Sequence, residues 1–353
     1  SYKAKYIDAN NYEDIQNKIN GIKVTINSAS PSCNLPIMQA CLTNNSNYID
    51  LASDPFTYAN QKGTSFRDQM KLDSKFKQKK LLAVTNTGFS PGFVDILCKS
   101  IVEKYKLDSI ESLKVNFAER IISDKLVISW SPYTFFLESI YPATVYKNGK
   151  IIELTSKESM NELKFPSGVG KINVRLFNGH PELLTIPKFI GVPIQYIEIG
   201  GGYKLNNQQI NDIIVECLTR KVKESPYFNG DIFQLLSEKF EKVENFASNF
   251  QKGIIKKYVF SCIINIRGEK GKKNINYTNI IEHDYADIIK NFNFGTGSGF
   301  VISLTPSIIA HDILTKKIKI KGVIAPAALS NTSEILKKCV KMGLIMEEKE
   351  KWE

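Results

Sequence analysis

A histidine and a glutamate stand two residues apart in one short segment of the chain, Asn178-Gly179-His180-Pro181-Glu182. One of these side chains can relay a proton while the other holds a substrate ammonium group. A surface hairpin with a capping histidine fits the same residues, so the segment by itself leaves both interpretations open. We predict that His180 and Glu182 are catalytic.

Three further side chains have the chemistry to bind a small charged substrate. Arg175 lies in the strand before this segment, and its guanidinium group can grip a carboxylate with two hydrogen bonds. Glu138, which follows Trp130, can bind an amine and is a third catalytic candidate. An exposed strand arginine and a solvated helix glutamate are the alternative interpretations. Arg175 and Trp130 are predicted to bind substrate.

The sequence predicts no metal site. Its six cysteines are scattered and none forms a C-x-x-C pair, so neither zinc nor a disulfide framework is indicated. His283 and His311 have only the adjacent Asp284 and Asp312 as acidic neighbours, and adjacent residues project in different directions. Free thiols are typical of a reducing cytoplasm, which is the compartment that we expect.

Strands and helices alternate through residues 1–90. Runs of apolar and β-branched residues predict strands, and periodic apolar residues predict the helices between them. Units this short imply a parallel sheet with right-handed crossovers, so the predicted fold class is α/β with a Rossmann-type sheet. The predicted strands are 5–7, 22–26, 48–51 and 81–84, and the predicted helices are 12–19, 35–42 and 65–77.

The ends of these strands carry residues that suit a dinucleotide, which binds beyond the carboxyl ends of parallel strands. Asp8 can accept a hydrogen bond from an adenine amino group, and small side chains at 28–30 let backbone approach a ribose or pyrophosphate. Ordinary strand-to-helix turns have the same composition. The predicted cofactor is NAD or NADP, and its predicted contacts are Asp8, Ser28, Ala29, Ser30, Asp50, Thr87 and Gly88.

The pattern changes after an amphipathic helix at 92–105. Longer strands follow, and Asn148-Gly149 predicts a tight hairpin, so residues 91–299 are predicted to form a second, α+β domain with a mixed sheet. Apolar helices then return to the first domain, which residues 300–353 complete. The predicted later strands are 113–117, 126–130, 144–146, 151–154, 194–199 and 258–266, and the predicted helices are 210–223, 232–250, 301–315 and 332–342.

The glycine fingerprint of dinucleotide-binding proteins, G-x-G-x-x-G, is missing from the start of the chain. Residues 295–300 place Phe300 where the third glycine belongs, and Gly200-Gly201-Gly202 lacks the spacing, so both segments are predicted to be turns. Strand 5–7 is then the third strand of its sheet. We therefore expect about forty further residues upstream, and weak dinucleotide binding and poor solubility without them.

Composition narrows the classes of function. The chain has 353 residues, 42% hydrophobic and 24% charged, which suits a globular protein of two domains without a membrane partner. The formal net charge of +11 raises the possibility of nucleic-acid binding. Its lysines are spread along the chain, however, and suit anionic substrates or phosphates equally well. We expect no nucleic-acid partner.

Several segments resemble the saccharopine dehydrogenase family, in collinear order over nearly the whole chain. Thr87-Gly88-Phe89-Ser90-Pro91-Gly92 is similar to the Gly-x-x-Pro-Gly segment that joins the two domains of the family. The other similar segments are 25–31, 34–42, 48–51, 129–132 with Glu138, 142–150, 180–187 and 322–343.

This resemblance implies hydride transfer at a carbon–nitrogen bond of an amino acid or a carboxylated polyamine. It also implies that Ser90, Pro91 and Gly92 contact the substrate and that the second domain pairs in a homodimer. Two departures stand out: Ser90 occupies a position that is acidic in some members, and 325–327 reads Ala-Pro-Ala instead of Pro-Pro-Glu. A non-catalytic, partner-binding protein on the same fold is the alternative.

Overall fold

The structure is a computed structural model that describes residues 4–9, 11–54, 65–132, 141–166, 168–205, 240–292 and 295–353. The chain forms two compact units. The first consists of residues 1–106, 180–192 and 302–342, and the second of residues 107–179, 193–301 and 343–353.

The first unit contains a parallel sheet of four strands. In sheet order these are β1 (Val24–Asn27), β2 (Asn47–Asp50), β3 (Leu82–Val84) and β12 (Gly322–Ile324), and each pairs in parallel with its neighbour. Every connection must therefore cross over from one end of the sheet to the other, as the short alternating elements predicted. The predicted α/β class with a parallel sheet is confirmed.

Helices connect and cover these strands. Helix α1 begins where the side chain of Asn11 accepts hydrogen bonds from the amides of Glu13 and Asp14, which caps its first turn. The apolar core of the unit includes Met38, Tyr48 and Phe76, all fully buried. The helices are α1 (Tyr12–Lys18), α2 (Asn34–Thr43), α3 (Phe66–Met70), α4 (Asp73–Gln78), α5 (Val94–Tyr105), α6 (Glu182–Phe189) and α10 (Thr332–Lys341).

The second unit contains a mixed sheet of nine strands. β4 and β9 are parallel neighbours, and the other pairs are antiparallel, which confirms the mixed sheet. The strand order is β13-β11-β10-β4-β9-β5-β6, with β8 paired to β9 and β7 to β8. The strands are β4 (Ser109–Ser123), β5 (Thr144–Lys147), β6 (Lys150–Glu153), β7 (Met160–Lys164), β8 (Lys171–Leu176), β9 (Ile194–Leu205), β10 (Ile255–Lys270), β11 (Lys273–Asp284) and β13 (Met346–Trp352).

The short helices α7 (Phe246–Gln251) and α8 (Tyr285–Ile288) belong to this second unit. The predicted hairpin between β5 and β6 is present, and Asn148 and Gly149 have φ of 47° and 83°. These two positive φ values fit the right-handed twist of the flanking strands, which explains why Asn-Gly predicts this turn.

The three consecutive glycines lie inside strand β9, so the prediction of a turn at 200–202 is wrong. A Cβ atom at Gly202 would lie 2.4 Å from the carbonyl oxygen of Asn173 in the neighbouring strand β8. A Cβ atom at Gly201 would lie 2.7 Å from the ring of Phe177. Glycine is needed here because backbone and aromatic rings cross this strand at close range.

The second glycine-rich segment opens a long helix instead of a turn, α9 (Gly297–Leu314). The Thr296 hydroxyl accepts a hydrogen bond from the amide of Gly299 at 2.9 Å, and a Cβ atom at Gly297 would lie 2.3 Å from the ring of Tyr258. In the part of the chain that the structure describes, α9 alone has the length and apolar composition of a membrane span. Because 56% of this helix is buried inside the protein, its length and composition fit a helix of a protein core equally well.

Three other elements differ from their predictions. Residues 5–7 and 126–130 are not strands, and the predicted helix 65–77 is broken between α3 and α4 near Lys71. Residues 5–7 do not form a strand because their side chains are exposed. None of the described strands pairs with them to offset the conformational entropy lost on ordering. Predicted helix 210–223 and most of 232–250 fall outside the described residues.

The predicted domain boundaries also differ from the compact units. Helices α5 and α6 were expected in the second domain, and both belong to the unit with the parallel sheet. Strand β13 was expected to complete the first domain, and it pairs with β11 in the mixed sheet. Residues 302–342 belong to the first unit, as predicted.

Candidate functional site

The segment that follows β3 is held against the end of β2 by hydrogen bonds to Asp50. Both the amide and the hydroxyl of Thr87 donate to the Asp50 carbonyl oxygen, at 2.9 and 2.7 Å. The amide of Asn86 and the side chain of Gln69 donate to the Asp50 carboxylate at 2.6 and 2.5 Å. Asp50 was predicted to contact a cofactor. Its side chain instead points into the protein, and its hydrogen bonds hold this turn in place.

Burial dominates the electrostatics of Asp50. It raises the pKa of this carboxyl to about 7, against the hydrogen bonds from Asn86, Gln69 and Tyr48, which lower it. Asp50 is 1% exposed. Its carboxyl group is thus held by hydrogen-bond donors inside the unit.

Two glycines shape the next stretch, Gly88 to Gly92. A Cβ atom at Gly88 would lie 3.0 Å from the Leu51 carbonyl oxygen. Gly92 has φ of +126°, and a Cβ atom there would lie 2.5 Å from the carbonyl carbon of Thr87. Only glycine fits at Gly92, because both its backbone conformation and its approach to Thr87 exclude a side chain. Pro91 is buried between them.

Ser90 meets Glu182 inside the first unit. The Ser90 hydroxyl donates a short hydrogen bond to Oε1 of Glu182, which is the first residue of α6 and has a fully buried side chain. Ser90 itself is only half-buried. The serine that replaces an acidic residue of the family pattern is therefore in contact with a carboxylate supplied from another element.

His180 lies beside the same carboxylate. Its Nδ1 atom is 3.3 Å from Oε2 of Glu182, and the residue is 8% exposed. The interpretation of this segment as a surface hairpin is wrong, since both side chains are buried and Glu182 opens a helix. The structure brings His180, Glu182 and Ser90 together.

A second buried carboxylate, Asp95, adjoins this group and escaped the sequence analysis. One of its oxygens accepts from the Thr185 hydroxyl at 2.9 Å and the other from the Gly92 amide at 3.1 Å. Burial, and then the charge of Glu182, raise the pKa of Asp95 to about 8. The signal in the sequence is an acid between Val94 and Ile96, on the apolar side of a predicted helix.

The predicted substrate-binding residues Trp130 and Arg175 lie in the second unit. Arg175 is 5% exposed and donates to the Tyr141 carbonyl oxygen at 2.9 Å, so it is not an exposed strand arginine. The Trp130 indole donates to the Tyr203 hydroxyl at 2.8 Å. Glu138 lies outside the described residues.

Glu119 is the centre of a buried polar cluster in the second unit that sequence analysis also missed. Its Oε1 accepts from Ser129 at 2.6 Å, and Ser129 accepts from Ser298, in the first turn of α9, at 2.9 Å. Burial raises the pKa of Glu119 to about 7, opposed by the hydrogen bond from Ser129. The signal available in the sequence was a glutamate within a stretch of alternating apolar residues.

The end of β1 suits the approach of a nucleotide. Ser28, Ala29 and Ser30 are all exposed there, and the side chain of Asn27 accepts from the Ala29 amide at 3.0 Å, which shapes the turn. These small exposed residues at the carboxyl end of a parallel strand fit a dinucleotide. Asp8 does not follow a strand. Its amide donates to Asp14 at 2.8 Å, in front of helix α1.

The described residues contain no group of three or more His, Cys, Asp or Glu side chains that could hold a metal ion. Nε2 of the buried His283 accepts a hydrogen bond from the Ile345 amide at 3.2 Å, and burial lowers the pKa of His283 to about 4. Nδ1 of His311 lies 3.3 Å from Asp312, so these neighbours do meet, contrary to the prediction.

Two consecutive stretches of the chain match known domains. Residues 88–344 match the saccharopine dehydrogenase C-terminal domain, and residues 1–84 match the saccharopine dehydrogenase NADP binding domain. The chain belongs to the saccharopine dehydrogenase family. This family was the one predicted from the resemblance.

Two similar curated proteins are carboxynorspermidine synthases. The one from Vibrio cholerae is 27% identical over 208 residues, and the one from Vibrio alginolyticus is 24% identical over 208 residues. Each match covers 57% of this chain and 49% of the relative. The chain thus spans about half the length of the curated relatives that it matches.

Two solved structures share the fold. Saccharopine dehydrogenase (L-Glu forming) from Saccharomyces cerevisiae has a TM-score of 0.66 at 11% identity, covering 99% of this chain and 89% of that one. Homospermidine synthase from Legionella pneumophila, solved in complex with NAD, has a TM-score of 0.67 at 15% identity, covering 99% of this chain and 80% of that one.

The substitution Gly92→Ala tests whether the close approach to Thr87 is required. We expect it to lower the free energy of unfolding by about 3 kcal/mol or more, because positive φ and backbone overlap add. Gly149→Ala is the control, since Gly149 also has positive φ but has open space around it, and we expect a loss of about 1 kcal/mol. Equal losses in urea unfolding would contradict the argument.

Proposed function

We propose that this chain is an NAD(P)-dependent oxidoreductase that acts on a carbon–nitrogen bond of an amino acid or a carboxylated polyamine. Membership of the family and the match of residues 1–84 to an NADP binding domain support this proposal. The observation that carries it is the half-buried Ser90 hydroxyl donating to the buried carboxylate of Glu182.

Oxidation or reduction at a carbon–nitrogen bond needs a proton donor and acceptor at the nitrogen. A bound dinucleotide would supply or accept the hydride at carbon. Ser90 Oγ accepts a proton from the substrate nitrogen while its own proton passes to Oε1 of Glu182, and reduction reverses both transfers. His180 stands beside Oε2 and orients the carboxylate.

The residues proposed to hold the cofactor are those at the strand ends. Ser28, Ala29 and Ser30 are proposed to contact the dinucleotide, together with Thr87 and Gly88, while Asp50 positions that turn. Asp8 stays a predicted contact.

The residues proposed to bind the substrate are those that the sequence predicted. Arg175 is proposed to bind a substrate carboxylate, and Trp130 to pack against the substrate. Pro91 and Gly92 shape the backbone beside Ser90. Glu138 stays a predicted catalytic residue.

The alternative of a non-catalytic protein rested on serine at position 90 and on the missing glycine fingerprint. Glu182 weakens that alternative, because it supplies a carboxylate in direct contact with the serine. An acid–base group is therefore available although the residue at position 90 is not acidic.

The proposed reaction is tested by incubating the purified chain with NAD⁺ or NADP⁺ and, in turn, carboxynorspermidine, saccharopine and homospermidine. We expect formation of reduced nicotinamide with at least one of these amines. Calorimetry with each dinucleotide alone separates loss of cofactor binding from loss of chemistry. Dinucleotide binding without turnover of any amine would favour the non-catalytic alternative.

Glu182→Gln tests the proton acceptor. We expect turnover to fall about a hundred-fold or more, because glutamine keeps the shape of the side chain but cannot take up the proton. His180→Ala is expected to lower turnover as well. Lys188→Ala, an exposed position on the same helix, is the control and should leave turnover unchanged. Similar shifts in melting temperature with unchanged turnover would assign His180 and Glu182 to structure.

We further propose a cytoplasmic homodimer. The five described cysteines, all buried and unpaired, suit a reducing compartment. Two-fold pairing through the mixed sheet is the arrangement expected of such an oligomer. Light scattering should give twice the mass of the chain at micromolar concentration, and a monomer there would overturn this assembly.

A further inference from the structure

The fully buried side chain of Asp95 is hydrogen-bonded to two separate segments of the first unit. Asp95 lies in the first turn of α5, where one of its carboxyl oxygens accepts from the Gly92 amide at 3.1 Å. The other oxygen accepts from the hydroxyl of Thr185, a residue of helix α6, at 2.9 Å. One side chain therefore joins the bend, defined as Gly88 to Gly92, to the helix that begins at Glu182.

The bond between Asp95 and the Gly92 amide has a structural explanation by itself. A carboxylate in the first turn of a helix commonly reaches back three residues to a free amide and caps the helix. The bond from Thr185 has no such explanation. A threonine inside a helix can return its hydroxyl to the carbonyl oxygen four residues earlier, but the Thr185 hydroxyl crosses to another helix. This second bond makes Asp95 more than a helix cap.

A second link between the bend and α6 is the contact proposed to transfer the proton. The Ser90 hydroxyl donates to Oε1 of Glu182. Ser90 lies two residues before Gly92, and Glu182 lies three residues before Thr185. Because residues three apart share one face of a helix, both links leave the same face of α6. A shift between the bend and α6 that breaks one link therefore displaces the other.

The start of the bend is anchored to the parallel sheet. The amide and hydroxyl of Thr87 donate to the carbonyl oxygen of the last residue of β2, at 2.9 and 2.7 Å. The Gly88 amide donates to the carbonyl oxygen of the next residue at 3.0 Å. Asp95 anchors the other end of the bend through the Gly92 amide. Ser90 thus lies between an anchor on the sheet and an anchor on α6.

From this geometry we infer that Asp95 and Thr185 are positioning residues that hold the Ser90 hydroxyl against Glu182. The inference rests on the proposed function and adds two residues to it. A hydroxyl that passes a proton must stay within hydrogen-bond reach of its acceptor, and small displacements of a reacting group cost large factors in rate. Asp95 is fully buried, so it acts on the reaction through Ser90 and not by contact with the substrate.

Thr185→Val tests the bond between Thr185 and Asp95. Valine keeps the shape of threonine but cannot donate, so we expect kcat to fall about ten-fold as Ser90 loses its position. Thr185→Ser keeps the hydroxyl and should stay close to wild type. Thr332→Val is the matched control, because buried Thr332 donates to the carboxylate of Glu103 at 3.2 Å, in the last turn of α5. This control should leave kcat unchanged. Unchanged kcat in Thr185→Val would overturn the inference.

Asp95→Asn separates the contacts of Asp95 from its charge. The asparagine oxygen can accept from the Gly92 amide while its amino group donates to Thr185, because a threonine hydroxyl both donates and accepts. We therefore expect Asp95→Asn to keep most of the turnover, and Asp95→Ala to lose at least as much as Thr185→Val. An equal loss in Asp95→Asn and Asp95→Ala would assign the effect to charge and overturn the inference.

A double-mutant cycle distinguishes positioning from a general loss of stability. In a Ser90→Ala background the hydroxyl to be positioned is gone, so Thr185→Val should lower the remaining turnover by a smaller factor than in the wild type. A purely structural role of Thr185 would lower turnover by the same factor in both backgrounds, and that result would contradict the inference.

Hydrogen exchange tests the same contacts without turnover. In Thr185→Val, the amides of the bend should exchange faster than in the wild type, whereas in Thr332→Val they should exchange at the wild-type rate. Unchanged exchange of the bend in Thr185→Val would overturn the inference. Faster exchange in a protein that oxidises no amine would support the anchoring of the bend by Asp95 and overturn the proposed reaction.

Discussion

At Gly92 the chain turns back so closely on Thr87 that no side chain fits between them. The rest of the site depends on this approach. It brings the Gly92 amide to the carboxylate of Asp95 and leaves Ser90 at the bend, where its hydroxyl reaches Glu182. Because Thr87 is itself tied to the last residue of β2, the bend is anchored in the parallel sheet.

The carboxylate beside Ser90 comes from helix α6 and not from the segment that contains Ser90. Ser90 stands where some relatives in the family have an acid, and the buried end of α6 provides Glu182 beside it. The serine is half-buried, so it can face a substrate while the charge stays inside the protein. In the proposed reaction, the hydroxyl of Ser90 would connect the substrate to the buried carboxylate of Glu182.

Local patterns predicted much of the fold. The alternation of short apolar runs with amphipathic helices identified the parallel sheet. Asn148-Gly149 identified the β5–β6 hairpin of the mixed sheet, since both patterns depend only on neighbouring residues. Predictions failed where residues that are distant in the sequence determine the local structure. Glycines 200–202 were taken for a turn because composition alone does not reveal that Asn173 and Phe177 cross that strand.

The sequence by itself determined the family, the parallel and mixed sheets, and the likeness of the Gly88 to Gly92 segment to its family counterpart. These follow from periodicity, from the conformational demands of glycine and proline, and from the order of motifs. Only the tertiary structure decided that Ser90 contacts Glu182, because the two residues are 92 positions apart and no local pattern encodes their contact. Whether a carboxyl group keeps its proton depends on water exclusion and neighbouring charge, and both are properties of the packed chain.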